Sequence, residues 1–185
     1  MWKALSTMLV FVSWTIMAAP VSAADGTTYG TFAVFAVNES WANQAEASKQ
    51  KGIQEAKQVA EAFRDRVQMD AYWTYGLTPS SHFMLRLHAA NARANQDLLT
   101  ALAGTGLGWH LRVTFTITGV IKGLNHAPDF PDLLAQLKAA QYEGPPPVYA
   151  IMIPTRKDAA RWNLSKDQRI AMMREHTEPT LAYLK

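Results

Sequence analysis

The sequence predicts an α+β protein, and three observations carry that reading. Residues 67–77 and 111–118 alternate apolar and polar side chains with a period of two, the pattern of strands buried on one face. Ile53, Ala56, Val59, Ala60 and Phe63 recur at three and four while Lys, Gln and Glu fill the other side, the pattern of an amphipathic helix. These segments, with their neighbours, follow one another as strand, helix, strand, strand, helix, strand. That order is the βαββαβ ferredoxin-like unit, whose antiparallel sheet carries both helices on one face.

In chain order, Met1–Ala23 has one charge, Lys3, an apolar stretch from Leu5 to Ala19, and the small-residue end Val21-Ser22-Ala23. It reads as a secretory signal peptide cleaved after Ala23, too short for a comfortable membrane span, with an uncleaved anchor as the alternative. Tyr29–Val37 is aromatic and β-branched, a buried strand. A helix over 43–66 follows, then the strand Val67–Leu77. Turn chemistry at Thr78-Pro79-Ser80-Ser81 leads into the hairpin partner Phe83–His88. A second helix spans about Asn91–Ala103 and ends before Gly104, and Leu111–Thr118 is the fourth strand.

A Pro- and Gly-rich loop runs from Lys122 to Pro147, after which the pattern begins again. Val148–Ile153 is a short apolar run closed by Pro154, which predicts a buried strand. Ser165 with Gln168 matches a capping box and starts a helix near Lys166. This is the opening of a second unit of the same kind, and it stops in mid-pattern, so the expectation is a C-terminally incomplete sequence. The predicted organisation is a leader over 1–23, a ferredoxin-like half over 24–122, a connecting loop over 123–146, and the start of a second half over 147–185.

Composition excludes several chemistries. With no cysteine there is no disulfide, thiolate nucleophile, iron–sulfur ligation or CxxCH haem attachment. The net charge of +3, lowered by one when Lys3 leaves with the leader, is mixed along the chain, so nucleic acid is not an expected partner, and neither is the membrane after cleavage. An apolar fraction of 49% supports a packed domain.

On the helix that starts near Lys166, Met172, Met173, His176, Thr180 and Tyr183 fall at spacings of three and four, which puts one imidazole among soft side chains. By spacing alone His176 is a hydrogen-bonded core residue or a metal ligand. His82, His88 and His110 read as structural histidines. Met172 and Met173 read as core filler, Lys157 as a solvated lysine and Trp162 as a packing anchor. Pro179 should kink the helix or restart it.

The segment IPTRKDAARWNLS followed by REHTEPTLAYLK, together with YGTFAVF, YWTYGL, FMLRLHA, GVIKGLN and EGPPPVYAIMIP upstream, resembles the chlorite dismutase family. The resemblance covers essentially all of the chain after the leader. It implies a dimeric α+β barrel of two ferredoxin-like halves, b-type haem in the second half, conversion of chlorite to chloride and dioxygen, export to the periplasm, and assembly into a homo-oligomer, by resemblance a pentamer. His176 then stands where the family has its proximal haem ligand, Lys157 where a lysine meets a haem propionate, and Trp162 at the second tryptophan of a pair beside the haem. Met172 and Met173 would lie against the porphyrin. Two positions depart from the family: Arg161 stands where the first tryptophan is usual, and His126 where a tyrosine lines the pocket. The resemblance places the distal arginine, and the glutamate that orients the proximal histidine, beyond Lys185, so no catalytic residue is expected within this chain and the chain alone is expected to be inactive. Peroxidase-like or decarboxylating chemistry on the same fold, and non-catalytic haem binding, are the alternatives.

Overall fold

The computed structural model describes residues 27–121 and 149–181, with side chains in the second stretch as far as Glu175. The leader over 1–23, the connecting loop over 123–146 and His126 within it lie outside the described residues. The described residues divide into two units, one within Met1–Lys122 and one within Gly123–Lys185.

In the first unit the order is β1 (Thr28–Val37), α1 (Glu39–Ala42), α2 (Glu46–Phe63), β2 (Val67–Trp73), β3 (Phe83–Ala89), α3 (Ala92–Ala103), a 3-10 turn (Gly108–His110) and β4 (Leu111–Ile121). The sheet order is β2-β3-β1-β4 with every neighbouring pair antiparallel, the ferredoxin-like arrangement the sequence predicts. Alternation decides the core. On β1, Ala33 and Phe35 face the same side as Leu85, Leu87 and Ala89 of β3 and Val67 of β2, and all six are buried with Ile53 and Ala56 of α2 and Ala94, Leu98 and Leu102 of α3. Phe35 and Phe83 add a stacked ring pair at 5.0 Å.

Local chemistry sets the element ends. The Asn91 side chain accepts from the backbone N–H of Ala94 at 2.9 Å and caps α3. Helix α2 approaches the loop after α3 so closely that a Cβ at Gly52 would sit 2.6 Å from the backbone nitrogen of Leu107. Glu55 fastens the same contact by accepting from the N–H of Gly106 at 2.7 Å. Buried Asn95 donates through Nδ2 to the Tyr29 carbonyl at 3.0 Å and to Thr31 Oγ1 at 3.2 Å, which ties α3 to β1. Its Oδ1 is buried with no partner among the described residues.

Three boundaries differ from the sequence reading. The helix expected over 43–66 is shorter, α2 running from Glu46 to Phe63, and a separate short helix that the reading did not include, α1, precedes it and buries Trp41. Strand β2 ends at Trp73 and not at Leu77, because the N–H groups of Thr74 and Tyr75 both turn to the His82 carbonyl, and Gly76 takes φ +84°. Strand β4 runs on to Ile121, paired to β1 throughout with a bulge between Val34 and Phe35. Phe115, Ile117 and Ile121 of β4 are exposed on the face away from the helices.

In the second unit α4 (Ala159–Trp162) is followed by α5 (Lys166–Leu181). Of the strand expected over Val148–Ile153, Val148 lies outside the described residues and the rest is not a strand: Tyr149 to Asp158 is irregular. A strand exists only as one side of a ladder, and no ladder partner is present among the described residues, so Tyr149, Ile151 and Ile153 stay exposed. Pro179 does not restart the helix, and α5 continues through it to Leu181. No described helix is long and apolar enough to cross a membrane.

Because Leu98 is 1% exposed under the sheet, Leu98→Ala should destabilise the first unit by about 2–5 kcal/mol, whereas Leu77→Ala at the exposed turn should change stability by less than about 0.5 kcal/mol. Urea unfolding of the two variants checks the contrast.

Candidate functional site

The second unit assembles its candidate residues from the cap of α4 to the middle of α5. Asp158 accepts from the N–H of Ala160 at 2.9 Å and starts α4. One helical turn later the chain reaches Trp162, whose ring is 64% exposed. The Lys157 ammonium lies over that ring, 5.7 Å from its centroid, within the range of a cation–π contact. Two residues separated on the sequence thus become one feature, an apolar plate with a positive charge on its face. Arg169 of α5 donates to the Trp162 carbonyl at 3.4 Å. Asp158 and Arg169 therefore hold the two ends of α4 in place, a role the sequence reading did not assign. The helix-capping preference of an aspartate just before Ala159-Ala160 was the signal for the first of them.

Helix α5 begins with the predicted capping box. The Ser165 N–H donates to Gln168 Oε1 at 3.0 Å, and the Gln168 N–H donates to Ser165 Oγ at 3.2 Å. With its start fixed, the spacing along α5 is fixed too. Ile170 and Met173 are half-buried, Met172 is exposed, and the backbone places His176 three residues after Met173. Met172 and Met173 therefore do not share one environment, as the spacing suggested. Arg161 ends α4 beside Trp162 and is half-buried.

Among the described residues no three His, Asp or Glu gather as a bare metal ion would require. In the first unit His82 and His110 make local hydrogen bonds. The Val37 N–H donates to His82 Nδ1 at 3.1 Å, and Ser40 Oγ lies 2.8 Å from His110 Nδ1. Burial pushes the His88 imidazole below its ordinary value, and the nearby Arg86 guanidinium adds to that. Arg86 itself donates from Nε and Nη2 to Asp70 Oδ2 at 3.0 and 2.8 Å, pairing β3 to β2 on the face away from the helices.

These features define a class: a ferredoxin-like α+β unit followed by a short helix and a longer one that carries a histidine. The sequence profile of the family described as chlorite dismutase matches residues 49–185, and the chain belongs to that family. A curated protein named chlorite dismutase from Ideonella dechloratans is 36% identical over 155 residues, 83% of this chain and 54% of that protein. Among solved structures, chlorite dismutase from Candidatus Nitrospira defluvii in complex with imidazole is 34% identical with a TM-score of 0.79, covering 85% of this chain and 66% of that one. An arginine-to-lysine variant of the same protein gives a TM-score of 0.80 at the same identity and coverage. The chain thus spans about half the length of the curated relative.

The capping box is the device that sets where His176 falls on α5. Ser165→Ala should lower helix stability by about 1 kcal/mol, seen as a loss of far-UV helical signal at elevated temperature, while Ser165→Asp should retain it.

Proposed function

We propose that the protein to which these residues belong binds b-type haem and converts chlorite to chloride and dioxygen. The observation that carries the reading is the match of residues 49–185 to the family profile, a span that includes His176 on α5 and the Lys157–Trp162 pair beside α4. The donor set suits such a group. One histidine cannot hold a bare ion, but it suffices for a metal whose other ligands come with it. The exposed Trp162 ring and half-buried Met173 offer flat and polarisable apolar contact, and the Lys157 ammonium offers a point charge for a carboxylate.

In this reading His176 ligates the iron, Lys157 pairs with a propionate, and Trp162, Met172 and Met173 line the group, with His126 contributed from the loop. When bound, the haem supplies the redox chemistry of chlorite conversion. The protein's part is to hold it: the cap of α4 fixes the indole, and the capping box of α5 fixes the turn on which the imidazole is carried. Arg161 beside that indole places a cation where the resemblance has the first tryptophan of the pair, a departure that bears on assembly or haem redox behaviour more than on chlorite affinity. We further read residues 1–23 as an export leader to the periplasm, and the protein as a homo-oligomer, a pentamer by resemblance.

In a protein that carries these residues together with the C-terminal half of a chlorite dismutase relative, added haemin should give a Soret band, and chlorite should then release oxygen at an electrode. His176→Ala should lose the Soret band while the thermal unfolding of the β1–β4 unit is unchanged. An unaltered Soret band in the variant would sink the ligand assignment, and haem uptake without oxygen release would sink the chlorite reading.

A further inference from the structure

We propose that His82 is a proton-sensitive latch that fastens the β2–β3 turn to the end of β1. The ladder between β1 and β3 stops at the pair Phe35–Phe83. One residue earlier on the β3 side, the His82 N–H donates to the Phe35 carbonyl at 2.7 Å. The next free donor on that edge of β1 is the N–H of Val37, and it is the His82 ring that takes it, through Nδ1 at 3.1 Å. An imidazole nitrogen thus stands where a strand would present a carbonyl. As an acceptor, Nδ1 must be unprotonated, so the proton of the neutral ring sits on Nε2.

The turn that His82 closes is a single stapled piece. Its carbonyl accepts from both Thr74 and Tyr75, at 2.9 and 3.1 Å. The buried Ser81 hydroxyl bonds Thr74 Oγ1 at 2.7 Å and also bonds Thr78 Oγ1. The Tyr75 ring stacks on the His82 imidazole with centroids 5.1 Å apart, and Trp73 tilts against Tyr75 at 5.9 Å. The turn therefore holds itself together without the ring, and what the ring adds is a second point of attachment to β1 beside the backbone bond to Phe35.

Protonation of Nδ1 converts the acceptor into a donor facing the Val37 N–H, and the bond is lost. Burial lowers the basicity of this imidazole, with no neighbouring charge contributing. The element packed on its face presents the Tyr75 phenol, the one titratable group against it among the contacts described, and β1 presents only backbone. Because the folded ring resists the proton, the unfolded chain takes it first as pH falls below about 6.5, and the latch weakens from there downward. At neutral pH the stabilisation is fully present. Acid thus loosens the tip bearing Trp73, Tyr75 and Leu77, all exposed, at the end of β1, while the backbone bond from His82 to Phe35 and the hydroxyl staples remain.

The test is NMR on the full chain, with long-range nitrogen spectra of His82 and amide exchange at Val37 corrected for intrinsic chemistry, between about pH 7.5 and 5. At the upper pH the ring should carry its proton on Nε2, and Val37 protection should fall about tenfold or more across the range. His82→Asn keeps an acceptor at the reach of Nδ1 without a titrating proton, so its Val37 protection should be flat with pH. A proton on Nδ1 at neutral pH, a flat profile in the parent, or an asparagine variant that follows the parent's profile would each overturn the latch.

Discussion

Every element of the first unit is placed by β1 pairing with two antiparallel neighbours at once. From Tyr29 to Phe35 the strand is hydrogen-bonded on one edge to β3, and from Thr28 to Val37 on the other to β4. A strand held on both edges has no freedom of register, and a slip of one residue would turn Ala33 and Phe35 from the helices to the opposite face. The helices inherit that order. Helix α3 finds Thr31 and the Tyr29 carbonyl at one end of β1, and the His110 carbonyl takes the N–H of Asn38 just past the other.

Much of this was legible because short-range chemistry and long-range packing agree. Period-two alternation located β2 and β4, the three-and-four spacing of Ile53, Ala56, Val59 and Phe63 located α2, and Ser165 with Gln168 located the start of α5. What was not legible depended on partners distant in sequence. Alternation from Thr74 to Leu77 continues that of β2, yet the His82 carbonyl draws two successive N–H groups and the strand ends. The apolar run at Tyr149–Ile153 has strand composition, but composition does not supply the second half of a ladder.

The candidate site divides along the same line. His176 stood out through its flanking motif, since spacing on a helix reports a face and not a chemistry. That Lys157 lies over Trp162 follows from how Asp158 starts α4, and five residues of sequence separation do not reveal it. The pair joins opposite properties, since an ammonium repels apolar surroundings and an indole seeks them. At an exposed site the contact between them is worth about 0.5–1 kcal/mol. A group with both a flat apolar body and an anionic edge suits such a surface.

The amide of Asn95 bears on how many ways this domain can be assembled. It sends both its hydrogens to β1 and leaves its oxygen in the core with no hydrogen among the described residues to accept. An aliphatic side chain of similar size would leave no stranded oxygen, but it would also lose both bonds to β1, so the cost at the oxygen stands against the gain at the two hydrogens. In exchange it discriminates. If α3 slid by one turn, leucines would still meet apolar neighbours of much the same kind, but two amide hydrogens would lose their acceptors together. Competing placements of α3 on the same hydrophobic surface of the first unit are thereby raised in energy relative to the one that satisfies both hydrogens.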